Sequence, residues 1–171
     1  MFADDSTCLN KNKTLQDLET STNEELSKIA DWFIADKMSI NSSKTKYMIF
    51  HPCYKVIDHQ TNLLIKDSSN PDALVPLERI TNQSVLDNFI RSLGVLSDEN
   101  LTFQQHITSL SLKLTRALFH LYQAINTVGF IARKQLYFSL IHSNLLYCNL
   151  IYGSASAKNL KRLFLLQKRG Y

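Results

Sequence analysis

Asp4 and Asp5, behind Phe2-Ala3 and before Ser6, are the residues of this chain best suited to chemistry. Neighbouring side chains on a strand point to opposite faces, so both carboxylates converge only where the backbone turns, as in a β-hairpin. A carboxylate pair in such a turn holds hard divalent cations such as Mg2+ through oxygen. Two such ions about 3.5–4 Å apart stabilise the attacking and leaving oxygens of a phosphoryl transfer. A solvated chain end accounts for the same pair when these residues are taken alone. Lys44 and Lys46 stand before the β-type run Tyr47-Met48-Ile49-Phe50. An ammonium at the mouth of a sheet can face a polyphosphate as a point charge or an acid, or simply mark where the strand starts. His51 and His59 have no third ligand nearby in sequence and read as surface histidines.

Charge is distributed unevenly around these residues. Residues 1–99 carry ten Lys/Arg and fifteen Asp/Glu, 10 − 15 = −5, whereas residues 100–171 carry nine Lys/Arg and no acid, 9 − 0 = +9. An all-basic half joined to an acidic half with a carboxylate pair suits a phosphate-backbone binder beside a metal site. A merely solvated basic helical face fits the charge equally well. With 171 residues, 44% of them hydrophobic, the chain can bury a core of one domain or somewhat more. Cys8, Cys53 and Cys148 are odd in number and widely spaced. They fit neither a disulfide scaffold nor a zinc site, and they suit a reducing compartment. No signal peptide is seen and no apolar run reaches about 18 residues, so an intracellular protein of nucleus or cytoplasm is expected, not a secreted or membrane-inserted one.

The elements that must position these groups alternate and then become helical. Thr7–Leu9 is expected to return as the second strand of the hairpin. Thr22-Asn23-Glu24-Glu25 has the form of a capping box, and behind it Leu26, Ile29, Ala30 and Phe33 share a helix face with Trp32 near its edge. Residues 51–88 predict two or three short antiparallel strands around a loop at 67–73. Phe89 to Leu96 predicts a strand in which Gly94 allows another backbone to come close. Thr102 and Gln105 form a second capping box. Phe103, Ile107, Leu110, Leu114, Leu118, Leu121, Ile125 and Val128 then recur at steps of three and four, as in a helix of five or six turns ending near Gly129. A second helix over about 131–152 carries Leu136, Leu140, Tyr147 and Ile151, with Arg133-Lys134 in its first turn against the helix dipole. Ser156 caps a third helix holding Lys158, Lys161, Arg162, Lys168 and Arg169. The fold class is therefore α+β: a partial antiparallel sheet with one packed helix, then an all-α bundle.

Four segments in order carry a resemblance. Phe2-Ala3-Asp4-Asp5-Ser6 is similar to the aromatic-Ala-Asp-Asp motif of reverse transcriptases. Trp32 to Phe50, through Ser39, Asn41, Lys44, Thr45 and Met48, resembles the segment behind that motif in the non-LTR (LINE-type) retrotransposon enzymes. Asp36-Lys37-Met38 departs from the Asn-Lys-Leu common there. Ser92-Leu93-Gly94 to Asp98, then Leu101, Phe103, His106 and Ile107, resembles a later segment, and Leu163 to Arg169 the apolar-Gln-basic run beyond it.

The resemblance implies a partial palm over residues 1–101 and a thumb-like helical region over 102–171. It implies that Asp4 and Asp5 are catalytic and bind Mg2+, and that Lys44 serves the incoming deoxynucleoside triphosphate. Leu93 and Gly94 would lie at the hairpin gripping the primer end. Lys113, Arg116, Arg133 and Lys134 would touch the phosphates of RNA template and DNA primer. The fingers and the first metal-binding aspartate of that family would fall before Met1, so the expectation is a polymerase piece inactive alone. The other class left open is a non-catalytic nucleic-acid-binding or protein-interaction module.

Overall fold

The computed structural model describes residues 6–55, 57, 61–66, 73–82, 88–124 and 126–170. The chain is mixed α+β and divides into two compact units. The first comprises residues 1–48 and 55–79, the second 49–54 and 80–171.

In the first unit, helix α1 (Leu15–Ala35) starts two turns earlier than the expected box at Thr22. Thr14 is the N-cap, its Oγ1 accepting the Asp17 amide at 3.1 Å, so the stop signal for the preceding coil is Thr14-Leu15-Gln16-Asp17. Thr22 lies inside the helix, where its Oγ1 accepts Asn10 Nδ2 at 3.1 Å. The stripe read from the sequence does face inward: Ala30 is buried and Leu26, Ile29 and Phe33 are half-buried, while Trp32 is exposed. The polar positions between them fasten a strand. Asn23 Oδ1 accepts the Leu64 amide at 2.9 Å, Glu19 Oε1 accepts the Asn62 amide at 3.0 Å, and Asp31 pairs with Lys66 at 2.5 Å. Residues 6–12 form no strand, contrary to the expectation for Thr7–Leu9.

Strand β2 (Leu64–Lys66) pairs antiparallel with β3 (Leu74–Pro76), in register Ile65 to Val75. Strand β1 is only Lys46–Tyr47, shorter than the expected Tyr47–Phe50 run, and it pairs parallel with β4 (Glu78–Arg79). Among the described residues one of the three two-stranded pairings is thus parallel, where the sequence pattern predicts antiparallel strands. The Tyr47 hydroxyl anchors this corner, 2.6 Å from the Thr61 carbonyl oxygen and 2.8 Å from its Oγ1.

The second unit contains the hairpin β5 (Ile90–Ser92) and β6 (Val95–Ser97), antiparallel about Leu93-Gly94. The expected single strand from Phe89 to Leu96 is therefore two, because Leu93 at φ 48° and Gly94 at φ 82° turn the chain. Positive φ at both central residues is the pattern of a two-residue hairpin turn. Helix α2 (Gln104–Ala124) carries the predicted stripe inward: Phe103, Ile107, Leu110, Leu114, Leu118 and Leu121 are all buried in one cluster with Val95. Ile125 lies outside the described residues, and Gly129 caps the next helix rather than ending this one.

The second helix departs most from expectation. It is α3 (Phe130–Tyr137), a π-helical turn (Phe138–His142), α4 (Ser143–Leu146), a break at Tyr147-Cys148, and α5 (Asn149–Tyr152). Cys148 is left-handed at φ 54°, which ends the helical run. The buried residues are Tyr137, Ile141 and Tyr152, each one place after an expected Leu136, Leu140 or Ile151. Ser139 Oγ donates to the Leu136 carbonyl and Asn144 Nδ2 to that of Leu140; such side-chain bonds compete with the helix ladder. Helix α6 (Ala157–Arg169) follows Ser156 as predicted, though no Ser156 side-chain cap forms.

His106 links α2 to the hairpin. It is 8% exposed, its ring is tilted 46° to that of Tyr152 with centres 5.3 Å apart, and its Nδ1 accepts the Leu96 amide at 3.5 Å. Burial pushes its pKa below the ordinary value of 6.5. Between that lowered value and about 6.5 the unfolded chain binds more protons than the folded one. The neutral ring's contribution is complete above about pH 7 and is lost as pH falls through 6.5 toward the lowered value. Thermal unfolding across this window should show that loss, and His106→Gln should remove it. An unchanged profile in the variant would mean that His106 does not titrate between the two states.

Candidate nucleic-acid interface

Asp4 and Asp5, with Phe2 and Ala3 before them, lie outside the described residues. Among the described residues no group of three or more His, Cys, Asp or Glu is placed to hold a metal ion. The carboxylate pair has the right donor chemistry for Mg2+, yet a two-ion site needs carboxylates from more than one strand.

Lys44 is exposed in a turn built on Asn41. The Asn41 Oδ1 accepts the Lys44 amide at 3.2 Å and the Ser43 hydroxyl at 2.7 Å, and its carbonyl accepts the Thr45 amide at 3.0 Å. Asn41 and the Ser-Lys-Thr behind it thus set an Asx-type turn, a structural reason for the pattern. Lys46 is paired with Glu78 at 3.2 Å across β1 and β4, so it serves the sheet.

Leu93 is 81% exposed at the tip of the hairpin. The Tyr147 hydroxyl donates to its carbonyl at 2.5 Å, and the Tyr147 ring lies 3.7 Å from where a Cβ on Gly94 would stand. An ionised Cys148 thiolate beside it would push the Tyr147 phenol pKa up. The turn is held against the break between α4 and α5 by a residue expected on a buried helix face.

The base of the hairpin is held by acids. Asp98 Oδ2 accepts the Thr102 hydroxyl at 2.9 Å and the Thr102 amide at 3.2 Å, and Oδ1 accepts the Phe103 amide at 2.9 Å. This replaces the expected Thr102–Gln105 capping box: Thr102 Oγ1 reaches only the Gln104 amide, at 3.5 Å. A negative group at a helix N-terminus also complements the dipole. Glu99 accepts the Asn82 amide at 3.1 Å and stands 3.7 Å from His51 Nε2. His51 is half-buried here, not the surface histidine expected, and His59 lies outside the described residues.

The consequence is electrostatic. The second unit has ten Lys/Arg and three Asp/Glu in its sequence, 10 − 3 = +7. Its two described acids, Asp98 and Glu99, are 7% and 9% exposed and occupied internally. Lys113, Arg116 and Lys134 are exposed; Arg133 is half-buried, with its Nε buried and unpartnered among the described residues. Lys113, Arg116 and His120 succeed one another at three- and four-residue steps on the outer face of α2. Lys134 closes the α-helical part of its helix instead of opening it, because that part begins at Phe130 and ends at Tyr137.

Helix α6 adds five exposed cations beyond the four expected at the interface: Lys158, Lys161, Arg162, Lys168 and Arg169. Leu163 and Leu166 face the core opposite them, and the Tyr122 hydroxyl donates to the Arg169 carbonyl at 2.8 Å, fixing the end of the helix. Their 3.6-residue spacing was the available signal.

No helix among the described residues is long and apolar enough to cross a membrane. No family model matches the chain, and no solved structure does. Over 174 aligned positions it is 26% identical to the "RNA-directed DNA polymerase from mobile element jockey" of Drosophila funebris. That match takes in 98% of this chain and 17% of the polymerase. Along nearly its whole length, then, the chain is similar to a short part of a mobile-element RNA-directed DNA polymerase.

Proposed function

We propose that this chain is the part of a retrotransposon reverse transcriptase that holds the primer–template duplex, with the second unit gripping its phosphates. The observation that carries the reading is the basic exterior of that unit, whose described acids are both turned inward. The similarity to the jockey polymerase supports the same reading. In it, Asp4 and Asp5 belong to the Mg2+ site of nucleotidyl transfer, Lys44 stands toward the triphosphate, and Leu93-Gly94 toward the primer end. In this reading Asp4 and Asp5 are one part of that site, and the 171 residues alone bind a duplex and do not extend it.

A primer–template duplex titrated at varied salt tests this. If about four side chains reach phosphates, the log–log slope is roughly −3 to −4, or about 60- to 250-fold weaker binding from about 50 to 200 mM salt. Neutralising Lys113, Arg116, Arg133 and Lys134 together should flatten the slope and weaken all sequences alike. The parent chain with Mg2+ and nucleotides should give no extension. Equal low-salt affinity of the parent and the quadruple variant would sink the duplex-holding role of these four residues.

A second reading, a protein-docking module, is favoured by the exposed Phe130, Ile131 and Leu150, at 73%, 75% and 93%. Apolar association does not weaken with salt as phosphate binding does, so the same titration separates the two.

A further inference from the structure

Helix α6 packs beside the π-helical turn, α4 and α5 to leave a groove of about 270 Å³. Tyr152 and Leu163, both 4% exposed, are among its apolar lining, and Phe164 stands at it 62% exposed. His142, Asn149 and Gln167 supply polar groups from three different elements. The Nδ1 of His142 is buried and has no hydrogen-bond partner among the described residues, an unusual state for a native polar atom. None of these residues belongs to the interface described above.

Resting on the nucleic-acid reading, we infer that this groove takes one unpaired nucleobase of a single strand. An aromatic ring exposed at the edge of a groove offers a stacking face, and every base has a π-face to meet it. The carboxamides of Asn149 and Gln167 each offer a donor and an acceptor, matching the edge of a base. A base still paired in a duplex has its edge occupied and its faces covered, so the occupant is an unstacked one. The charge around the groove fits the strand carrying that base. Lys161 and Lys168, three residues before and four after Phe164, share its side of α6 and are exposed. No Asp or Glu occurs anywhere from residue 100 to 171 to repel the adjoining phosphates.

The test uses the full chain and two six-nucleotide probes with equal numbers of phosphates, one bearing bases and one built of abasic spacers. The parent should bind the base-bearing probe about tenfold tighter, within the range that stacking of one base supplies. A 2-aminopurine in that probe should be quenched on binding. Phe164→Ala should abolish both the preference and the quenching while leaving the salt slope unchanged, since the phosphate contacts remain. Phe164→Tyr should restore them, and Phe164→Leu, which keeps apolar bulk without a π-face, should not. Circular dichroism of each variant guards against loss of fold, which is not expected at so exposed a position. If both probes bind equally in the parent, the groove takes no base, although the phosphate-binding reading stands. If neither probe nor a duplex binds at low salt, both readings fall.

Discussion

Replacing Asp98 by Ala is expected to destabilise the second unit by about 3 kcal/mol, as three hydrogen bonds converge on one carboxylate at a buried helix start. The two oxygens of Asp98 accept the Thr102 amide, the Thr102 hydroxyl and the Phe103 amide. Its own carbonyl accepts the Leu101 amide at 2.9 Å. The segment they hold is costly to form, for Leu101 at φ 53° and Phe103 at φ 54° are both left-handed. Non-glycine residues there cost roughly 1–3 kcal/mol each unless their surroundings fix them. The φ at Phe103 is what drops its ring into the core, where it is 4% exposed. Alanine leaves the Phe103 amide buried without its acceptor, and the left-handed turns lose their template. Hydrogen exchange of the α2 amides reads the free energy directly, without requiring both units to unfold together. Asp98→Asn, keeping an acceptor of the same shape, should lose less. If Asp98→Ala costs under about 1 kcal/mol, the carboxylate does not set the start of α2.

Leu114→Ala is expected to cost still more, about 3–5 kcal/mol. Leu114 is 0% exposed at the middle of α2, with Leu110 and Leu118 above and below it in the same cluster. Shortening it removes apolar burial and leaves a cavity that a helix fixed at both ends cannot collapse. At one end α2 is tied by Asp98, at the other by the Tyr122 bond to the last turn of α6. Leu112, two residues away and 52% exposed, is the internal control: Leu112→Ala should cost well under about 1 kcal/mol. Similar losses in the two variants, measured by exchange of the same amides, would contradict the inward stripe. The stripe is also the platform on which Lys113 and Arg116 are presented outward. Loss of the helix therefore predicts loss of duplex binding, whereas the quadruple charge variant separates binding from folding.

The sequence by itself determined the α+β class, the inward stripe of α2, the position of α6 after Ser156, and the charge asymmetry. These depend on period and composition, which are local: a residue's side of a long regular helix is set by its spacing alone. The tertiary structure alone decided where the second helix turns its face. Tyr137, Ile141 and Tyr152 are buried where a regular helix over 131–152 would have buried Leu136, Leu140 and Ile151; Tyr137 is already inward in α3, and the π-helical turn at Phe138–His142 and the left-handed Cys148 then interrupt the run. It also decided that α1 begins at Leu15 behind the Thr14 cap and not at the Thr22 box, whose following residue Asn23, with Glu19 before it, instead holds the backbone of residues 62–64. The parallel pairing of Lys46–Tyr47 with Glu78–Arg79 spans more than thirty residues of chain, and no local pattern encodes a partner that far away. The two acids Asp98 and Glu99 counted in the sequence as negative charge at the join. Folding turns both inward onto backbone amides, and that is why the exterior of the second unit is more basic than its composition.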